Sequence, residues 1–287
     1  MRSLLKKTSS IIFLTVGIIG TGHAASVFPM QAEGVGDWIL SGLLTDENGQ
    51  DFGYVLSISQ RKDRVHVLTE LIDVQTNSLW VQSEVEGPLE QPSDMHWCVK
   101  EVCWAWQSIT DRWWFGVKLA DKRGLHLKID MLGADAWHKE RLKPEMYYSI
   151  RQTGTVNGHV HSLESDKDSF VIGQRAVIRV MEGDSSASLT MQDVLCQLDN
   201  GQTFYAWHTQ ETGVAQSAFA QWYGAHGQSA PMSQFVQATA DPQGWKIALS
   251  IPKISLLFQE AQANAANALL IGALSGAHAG FCAVRNS

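Results

Sequence analysis

Hydrophobic and polar positions alternate through much of this 287-residue chain. Such alternation places every second side chain on one face of a β-strand. In FGYVLSIS (52–59) four apolar side chains share one face, and in LHLKIDML (125–132) apolar positions again alternate with polar ones. Residues 65–72, 78–85 and 245–251 also predict strands, because of their length and their β-branched content.

Short turn motifs separate these segments. They are ENGQ (47–50), DKRG (121–124), VNGH (156–159), DNGQ (199–202) and DPQG (241–244). Asn-Gly between alternating segments is the strongest short-range signal for a β-hairpin. The chain is therefore predicted to be all-β, with antiparallel strands that close into barrels or a sandwich. The exception is ISLLFQEAQANAANALL (254–270), whose Ala, Gln and Glu content predicts one short helix near the C-terminus.

Residues 1–24 have the three parts of a secretory signal peptide. A basic segment with Arg2, Lys6 and Lys7 precedes the apolar run IIFLTVGIIG and the small residues TGHAAS. The apolar run has ten residues, which is too short for a membrane span. We expect cleavage after Ala24 and export to the periplasm or the medium. The alternative, an N-terminal helix of the folded protein, fits these flanking residues less well.

The charge balance disfavours two classes of partner. The chain has 22 Lys and Arg against 29 Asp and Glu, and the predicted leader contains three of the basic residues. An acidic protein is poorly suited to bind nucleic acid or anionic lipid headgroups. The sequence also lacks a phosphate-binding loop, a nucleotide-binding glycine motif and a serine-hydrolase elbow. We therefore predict no cofactor.

The most unusual segment is HWCVKEVCWAWQSITDRWWF (96–115). It holds five of the eleven tryptophans, namely Trp97, Trp104, Trp106, Trp113 and Trp114. Cys98 and Cys103 flank a four-residue insert in it, which suits a disulfide across a β-hairpin in an oxidising compartment. Core packing explains part of the tryptophan cluster, and a ligand pocket or a domain interface is the alternative.

The remaining metal-binding residue types do not form a recognisable site. Cys196 and Cys282 lie far apart in sequence and can be a second disulfide or two buried thiols. A zinc site is not predicted, because C-x4-C stands without a second matching pair. His159 and His161 would share a strand face and have the geometry to share a metal. No third ligand is identifiable, however, and such a pair is more commonly a solvated strand face.

Two carboxyl groups and two tyrosines are candidates for chemistry. Glu70 shares a strand face with apolar residues, so it could lie inside a barrel, although an outward charge is the commoner case. Asp193 also alternates with apolar residues and is the better candidate acid, with an edge charge as the alternative. Tyr147 and Tyr148 point to opposite faces, so one can join the core while the other offers its hydroxyl to a cavity.

A further signal comes from five passages in a fixed order. They are WILSGLLTDENGQDFGYVLSI, MYYSIRQTGTVNGHV, FVIGQRAVIR, VLCQLDNGQTFYAW and ALLIGALSGAHAGFCAV. Together they resemble the AttH-like and carotenoid 1,2-hydratase (hydroxyneurosporene synthase) family of lipocalin-like proteins. The resemblance implies two consecutive lipocalin-like β-barrels, in residues 25–150 and 151–287. Residues 177–193 lack the Trp-flanked acids that are associated with the hydratase members of the family.

The resemblance also implies a ligand class. We expect an exported lipocalin-like protein that binds a hydrophobic small molecule, a lipid or an isoprenoid, in an aromatic-lined cavity. The candidate lining residues are the five tryptophans of 96–115 together with Tyr147 and Tyr148. The alternative is a hydratase, isomerase or cyclase that uses Asp193 or Glu70 as a general acid. A third possibility is an interaction module that presents the aromatic face to another protein. The sequence leaves open the oligomeric state and whether there is catalysis.

Overall fold

The computed structural model describes residues 35–131, 137–143, 146–162, 167–173, 175–183, 190–210, 218–230, 236–261 and 269–286. Within these ranges every regular element is a β-strand, and paired strands are antiparallel. The predicted all-β class is therefore confirmed. The signal peptide predicted for residues 1–24 lies outside the described residues. No helix that is long and apolar enough to cross a bilayer occurs in the described part of the chain.

The first sheet comprises thirteen strands among the described residues. They are β1 (Val35–Asp46), β2 (Asp51–Arg61), β3 (Arg64–Asp73), β4 (Ser78–Pro88), β5 (Glu90–Ser93), β6 (His96–Val99), β7 (Val102–Gln107), β8 (Arg112–Lys118), β9 (Gly124–Met131), β10 (Trp137–Lys143), β11 (Met146–Ser162), β12 (Lys167–Gly173) and β13 (Ala176–Glu182). Their order is β4-β3-β2-β1-β12-β11-β9-β8-β7-β6-β5, with β10 beside β11 and with β13 paired to both β1 and β11.

The second sheet comprises nine strands in the same described ranges. They are β14 (Thr190–Leu198), β15 (Thr203–Gln210), β16 (Ala218–Tyr223), β17 (Ser229–Ala230), β18 (Val236–Asp241), β19 (Gly244–Leu249), β20 (Ile254–Glu260), β21 (Leu269–Gly276) and β22 (Gly280–Asn286). Their order is β17-β16-β15-β14-β22-β21-β20-β19-β18. Sequence neighbours are therefore mostly sheet neighbours, as the hairpin signals predicted.

The first sheet curls around an apolar core of its own. Alternate residues of β1 and β2, such as Trp38 and Tyr54, are buried in this core. The far ends of the sheet approach each other, since a Cβ placed on Gly87 of β4 would lie 3.7 Å from Val99 of β6. The described strands thus form a curled antiparallel sheet, and closure of both sheets into barrels stays a prediction.

The second sheet packs against the outer face of the first. Ile39 and Val55 of the first sheet share an apolar cluster with Ile271 and Phe281 of the second. Gly53 of β2 lies against Phe281, and a Cβ on Gly53 would collide with that aromatic ring. The close contact between the sheets therefore depends on glycine at position 53.

Asn77 joins the two sheets by hydrogen bonds. It lies in the turn between β3 and β4 with a positive φ of 52°. Its side-chain Nδ2 donates to the carbonyl oxygens of Gln259 and Glu260, both at 3.1 Å. Its Oδ1 accepts a hydrogen bond from the backbone N–H of Ala273 at 3.0 Å. One turn residue thus satisfies backbone groups of both β20 and the adjacent β21.

Both pairs of cysteines form disulfides. Cys98 and Cys103 link β6 to β7, as predicted from their spacing. Cys196 and Cys282 link β14 to β22. Of the two alternatives, a second disulfide is therefore correct and two buried thiols are not. Each bridge joins residues that face each other directly across neighbouring antiparallel strands.

The helix predicted over 254–270 is wrong wherever that segment is described. Ile254–Glu260 is strand β20 and Leu269 begins strand β21, while residues 262–268 lie outside the described residues. Leu256 and Phe258 are buried in the core of the second sheet, and the residues between and beside them are not. Burial of alternate side chains overrides the helix propensity of the Ala, Gln and Glu content.

The turn predicted at 156–159 is also wrong, because these residues lie inside the 17-residue strand β11. Gly158 serves close strand contact, since a Cβ there would collide with the carbonyl oxygen of His126 on β9. Strand β11 carries the first sheet beyond residue 150, where a domain boundary was predicted. The change from one sheet to the other lies between Glu182 and Thr190.

Candidate functional site

A buried ion pair lies where the two sheets meet. Arg179 on β13 is flanked on its strand by buried apolar residues, and its Nη1 donates to Oδ2 of Asp193 on β14. The side chain of Arg179 is 0% exposed and that of Asp193 is 1% exposed. Because charged side chains are seldom fully buried without a structural or functional reason, this pair marks a special part of the interface.

Further charges surround the pair. Arg285 on β22 lies directly opposite Asp193 in the strand register, and its Nη2 is 3.9 Å from Oδ2 of Asp37 on β1. Arg61 contacts the same Asp37 oxygen at 3.2 Å. Burial alone would raise the pKa of Asp37, but Arg285, a hydrogen bond with Ser59, Arg61 and Arg179 together hold this pKa below its usual value. Asp37 is therefore held as a carboxylate.

Aromatic side chains form an apolar wall beside these charges. Trp207 on β15 is directly opposite Asp193 in the strand register, and its ring centroid is 5.1 Å from that of Tyr148 on β11. Tyr205 continues the wall, with ring centroids 5.6 Å from Phe219 and 5.9 Å from Tyr223. All these residues belong to one apolar cluster shared by the two sheets.

Several buried polar atoms here have no hydrogen-bond partner among the described residues. They are Oδ1 of Asp193, Nε and Nη2 of Arg179, and Nε1 of Trp207. An unsatisfied buried polar atom costs about 1–3 kcal/mol. The group thus has one acceptor and three donors without partners among the described residues. We call Arg179, Asp193, Arg285, Tyr148 and Trp207 the interface site.

The structure places Asp193 and the two candidate tyrosines as follows. Asp193 is buried, so the alternative of an edge charge is wrong, and its carboxylate is paired with a guanidinium group. An ion-paired carboxylate is an acceptor of hydrogen bonds rather than a proton donor. Tyr148 is buried in the cluster between the sheets, whereas Tyr147 is partly exposed. The two tyrosines therefore point to opposite faces of the strand, as predicted.

Glu70 is the second predicted acid, and it is also buried. It lies on β3 between Leu68 and Ile72, two members of the apolar cluster that joins the sheets. Its Oε1 accepts a hydrogen bond from Nε2 of Gln82 at 2.9 Å, and its Oε2 has no partner among the described residues. Glu70 therefore points away from the core of the first sheet, so the alternative of a position inside the barrel is wrong. Its outward face is nevertheless buried, because the second sheet covers it.

The ionisation of Glu70 follows from this setting. Burial raises its pKa to about 7, although the hydrogen bond from Gln82 lowers it, and the charge of Glu84 adds a smaller increase. A carboxyl group with a pKa close to neutral can hold a proton and release it at physiological pH. Glu70 is thus the better of the two predicted acids for proton donation.

The tryptophans of 96–115 do not form one surface. Trp97, Trp104 and Trp113 are buried in the core of the first sheet. Trp113 stacks on both Trp97 and Trp106, with ring centroids 6.1 Å apart in each pair. Trp114 points the other way and is 37% exposed, so the alternative of a domain interface does not hold for this side chain. A ligand-binding role for these residues stays a prediction.

His159 and His161 line a groove on the outer face of the first sheet. The groove has a volume of about 690 Å³ and also contains His126 and Asp168. His126 lies directly opposite His159, and Nδ1 of His161 is 2.9 Å from Oδ1 of Asp168. Among the described residues, neither predicted histidine belongs to a set of three ligand atoms close enough to share an ion.

Sequence reasoning missed Arg179, Arg285 and Trp207. Their proximity to Asp193 depends on how the sheets pack, and neither strand shows this alone. One signal was available, since Arg179 interrupts the otherwise apolar stretch AVIRVM. A lone cation in a fully buried strand requires a partner on a neighbouring element.

Comparisons with known proteins give likeness of fold. No family model matches the chain, and no curated protein sequence matches it. Its structure is similar to that of a Nitrosomonas europaea protein assigned as AttH, with a TM-score of 0.61 and 11% identity over 91% of this chain and 99% of that one. It is also similar to kievitone hydratase from Nectria haematococca, with a TM-score of 0.62 and 11% identity over 95% of each chain.

A third similar structure is that of CghA with Sch210972, with a TM-score of 0.51 and 9% identity over 88% of each chain. Each likeness extends over both sheets, because each covers most of the chain. At these identities it shows the fold alone. The chain therefore shares its fold with AttH-like proteins, kievitone hydratase and CghA, as the resemblance of the five sequence passages predicted.

Proposed function

We propose that this is an exported protein of two lipocalin-like barrels that binds a hydrophobic small molecule, lipid or isoprenoid in character, at the interface site. The observation that carries the proposal is the group of unpartnered buried polar atoms on Arg179, Asp193 and Trp207. The apolar rings of Tyr148 and Trp207 lie beside them. Ligand sites are typically apolar with a few convergent polar groups, and this arrangement has that composition.

The charges indicate what the polar end of the ligand contains. In the described part of the interface, the guanidinium groups of Arg61, Arg179 and Arg285 surround the carboxylates of Asp37 and Asp193. One positive charge is in excess, and Nε and Nη2 of Arg179 are without partners. A carboxylate, carbonyl or hydroxyl oxygen on an otherwise apolar ligand would satisfy these donors.

The test is a titration of delipidated protein with a fatty acid, an isoprenoid alcohol and the matching hydrocarbon, followed by tryptophan fluorescence. We expect the oxygen-bearing probes to change the emission and the hydrocarbon to bind more weakly. Trp207→Phe should remove most of the signal, since the Trp207 ring borders the site. Trp114→Phe is the matched control, because Trp114 lies on the outer face of the first sheet.

Two results would overturn the proposal. One is an emission spectrum that none of the three probes changes in a folded, delipidated protein. The other is a response that Trp114→Phe abolishes and Trp207→Phe preserves, which would place the ligand outside the interface site.

A second candidate function is general-acid catalysis, as in a hydratase, isomerase or cyclase. Glu70 favours it, because its buried carboxyl has a pKa of about 7 and an unpartnered Oε2. One protein of the same fold is named as a hydratase. The test is incorporation of ¹⁸O from labelled water into isoprenoid alkenes. Turnover that Glu70→Gln abolishes while ligand binding persists supports this function, and turnover unchanged in Glu70→Gln contradicts it.

A further inference from the structure

The hairpin of β6 and β7 separates its side chains into two sets. Trp97 and Trp104 point into the core of the first sheet. Cys98 and Cys103 face each other on the opposite side of the hairpin, and His96 shares that side because it is two residues from Cys98 on the same strand. A disulfide and an imidazole therefore lie together on the outer face of the sheet.

These three side chains have the spacing of metal ligands. Nε2 of His96 is 3.7 Å from Sγ of Cys98, and the ligand atoms of His96, Cys98 and Cys103 all lie within 4.8 Å of one another. In tetrahedral zinc sites, bond lengths of about 2.3 Å to sulfur and 2.0 Å to nitrogen put neighbouring ligand atoms roughly 3.5–3.8 Å apart. The imidazole and Cys98 already have that separation, whereas the two sulfurs are bonded to each other and must move apart once the disulfide is reduced.

The disulfide is accessible from one side. Cys103 is partly exposed and lines the outer groove of about 690 Å³, whereas Cys98 is 9% exposed. Gly116 on β8 is directly opposite Cys103 and has no side chain to cover it. The second disulfide differs, because Cys196 and Cys282 are 1% and 0% exposed within the core of the second sheet.

We propose that His96, Cys98 and Cys103 form a redox-gated binding site for a thiophilic divalent cation such as Zn²⁺. The site is closed while the disulfide is intact and opens when an external dithiol reduces it. Two thiolates and one imidazole then hold the cation, and solvent supplies the fourth position. This site is separate from the interface site and does not depend on the proposed function.

The reduction proceeds by thiol–disulfide exchange. One thiolate of the dithiol attacks Sγ of Cys103, and the bond between the two cysteine sulfurs breaks with its electron pair remaining on Cys98. The His96 Nε2–H can donate a hydrogen bond to this leaving thiolate. The second thiol of the reductant then displaces Cys103, so the reductant ends as a disulfide and the protein as two thiols. Cation binding releases the thiol protons.

The experiment uses the full chain with graded dithiol under anaerobic conditions. Alkylation followed by peptide mapping should show Cys98 and Cys103 free at a dithiol concentration that leaves Cys196–Cys282 intact. After anaerobic removal of the dithiol, titration with Co²⁺ should produce thiolate-to-cobalt charge transfer and tetrahedral d–d absorption, which the oxidised protein does not give. Zn²⁺ should displace Co²⁺ and remove both signals.

Variants assign the ligands. We expect His96→Ala to weaken Co²⁺ binding by at least about tenfold, a loss that even an outer-shell partner can cause. His126→Ala, which removes an imidazole of the groove that Cys103 lines, should have no effect. Cys98→Ala/Cys103→Ala should abolish the absorption, and circular dichroism of this variant shows whether the fold survives without the bridge.

The proposal is overturned by any of three results. The first is reduction of Cys196–Cys282 before Cys98–Cys103. The second is a reduced, folded protein that gives no charge-transfer band with Co²⁺. The third is a band that His96→Ala leaves unchanged.

Discussion

Arg179 of the first sheet and Asp193 of the second form an ion pair whose two side chains are at most 1% exposed. The pair links the two sheets, because the charge of Arg179 on one sheet is neutralised by Asp193 on the other. Removal of water from both groups opposes the attraction between them, so a buried pair is weak evidence for stability by itself. Its unpartnered atoms and aromatic surroundings are the observations on which the proposed binding role rests.

Single replacements at this pair should destabilise the protein strongly. Arg179→Met leaves Asp193 buried with its closest partner removed, and Asp193→Leu does the same to Arg179. Each should lower the free energy of unfolding by about 3–5 kcal/mol. The double variant Arg179→Met/Asp193→Leu leaves neither charge and should recover most of this loss. Urea unfolding measures all three, and single losses below about 1 kcal/mol would contradict the buried geometry.

Glu70 should make stability depend on pH. Its pKa is about 7 in the folded protein against an ordinary value of 4.5. The folded state therefore binds the proton more tightly than the unfolded state between these values, and stability falls as pH rises through this window. The loss is on the order of 3 kcal/mol, and it is complete above about pH 7.

Glu70→Gln isolates this contribution. The free energy of unfolding of this variant should equal that of the wild type near pH 4 and exceed it at pH 8. The variant should not show the decrease in stability that the wild type shows between these pH values. Glu86→Gln on β4 is the control, because Glu86 is exposed and paired with Arg64. Chemical unfolding at several pH values measures the difference between variant and wild type. A constant difference across the range would mean that Glu70 is not buried as described.

Gly53 should tolerate no side chain. Gly53→Ala would force Phe281 and the second sheet outward, and we expect a loss of about 1–3 kcal/mol, typical of overpacking. Gly87→Ala provides the comparison, since a Cβ at that position has ordinary contact distance to Val99. Phe281→Leu in the Gly53→Ala background should restore part of the loss. Equal thermal stability of the two alanine variants would disprove the close contact.

Asn77 should contribute through hydrogen bonds and not only through its backbone conformation. Asn77→Gly keeps the positive φ accessible but removes the three bonds to β20 and β21. We expect it to lose about 1–3 kcal/mol, because three backbone groups, two of them in part-buried hydrogen bonds, lose their side-chain partner. Asn77→Ala should lose more, since alanine adds backbone strain at a φ of 52°. The reverse order of the two variants would contradict this assignment.

The local sequence pattern was sufficient to predict most of the strands and one of the two disulfides. The alternation in 52–59 and 125–132 corresponds to β2 and β9, and the Cys98–Cys103 spacing corresponds to the hairpin of β6 and β7. These features depend on neighbours in sequence. The Asn-Gly signal failed at 157–158, because Gly158 serves contact between strands and not a turn.

The candidate site was harder to predict, because its members come from both sheets. Asp193 was identifiable from its alternation with apolar residues, but Arg179 and Trp207 meet it only through sheet packing and strand register. Glu70 was identifiable by position, whereas its burial depends on cover from the second sheet. The number of tryptophans in 96–115 suggested a ligand pocket, but three of the five are core residues.

The most direct test of the binding proposal is mass spectrometry of the small molecules that co-purify with the protein. Wild-type protein, extracted with organic solvent after native purification, should release about one equivalent of an apolar, oxygen-bearing compound. The Arg179→Met/Asp193→Leu variant, which should keep the fold, should release much less. Equal amounts from both proteins, or no bound compound in the wild type, would contradict a ligand at the interface site.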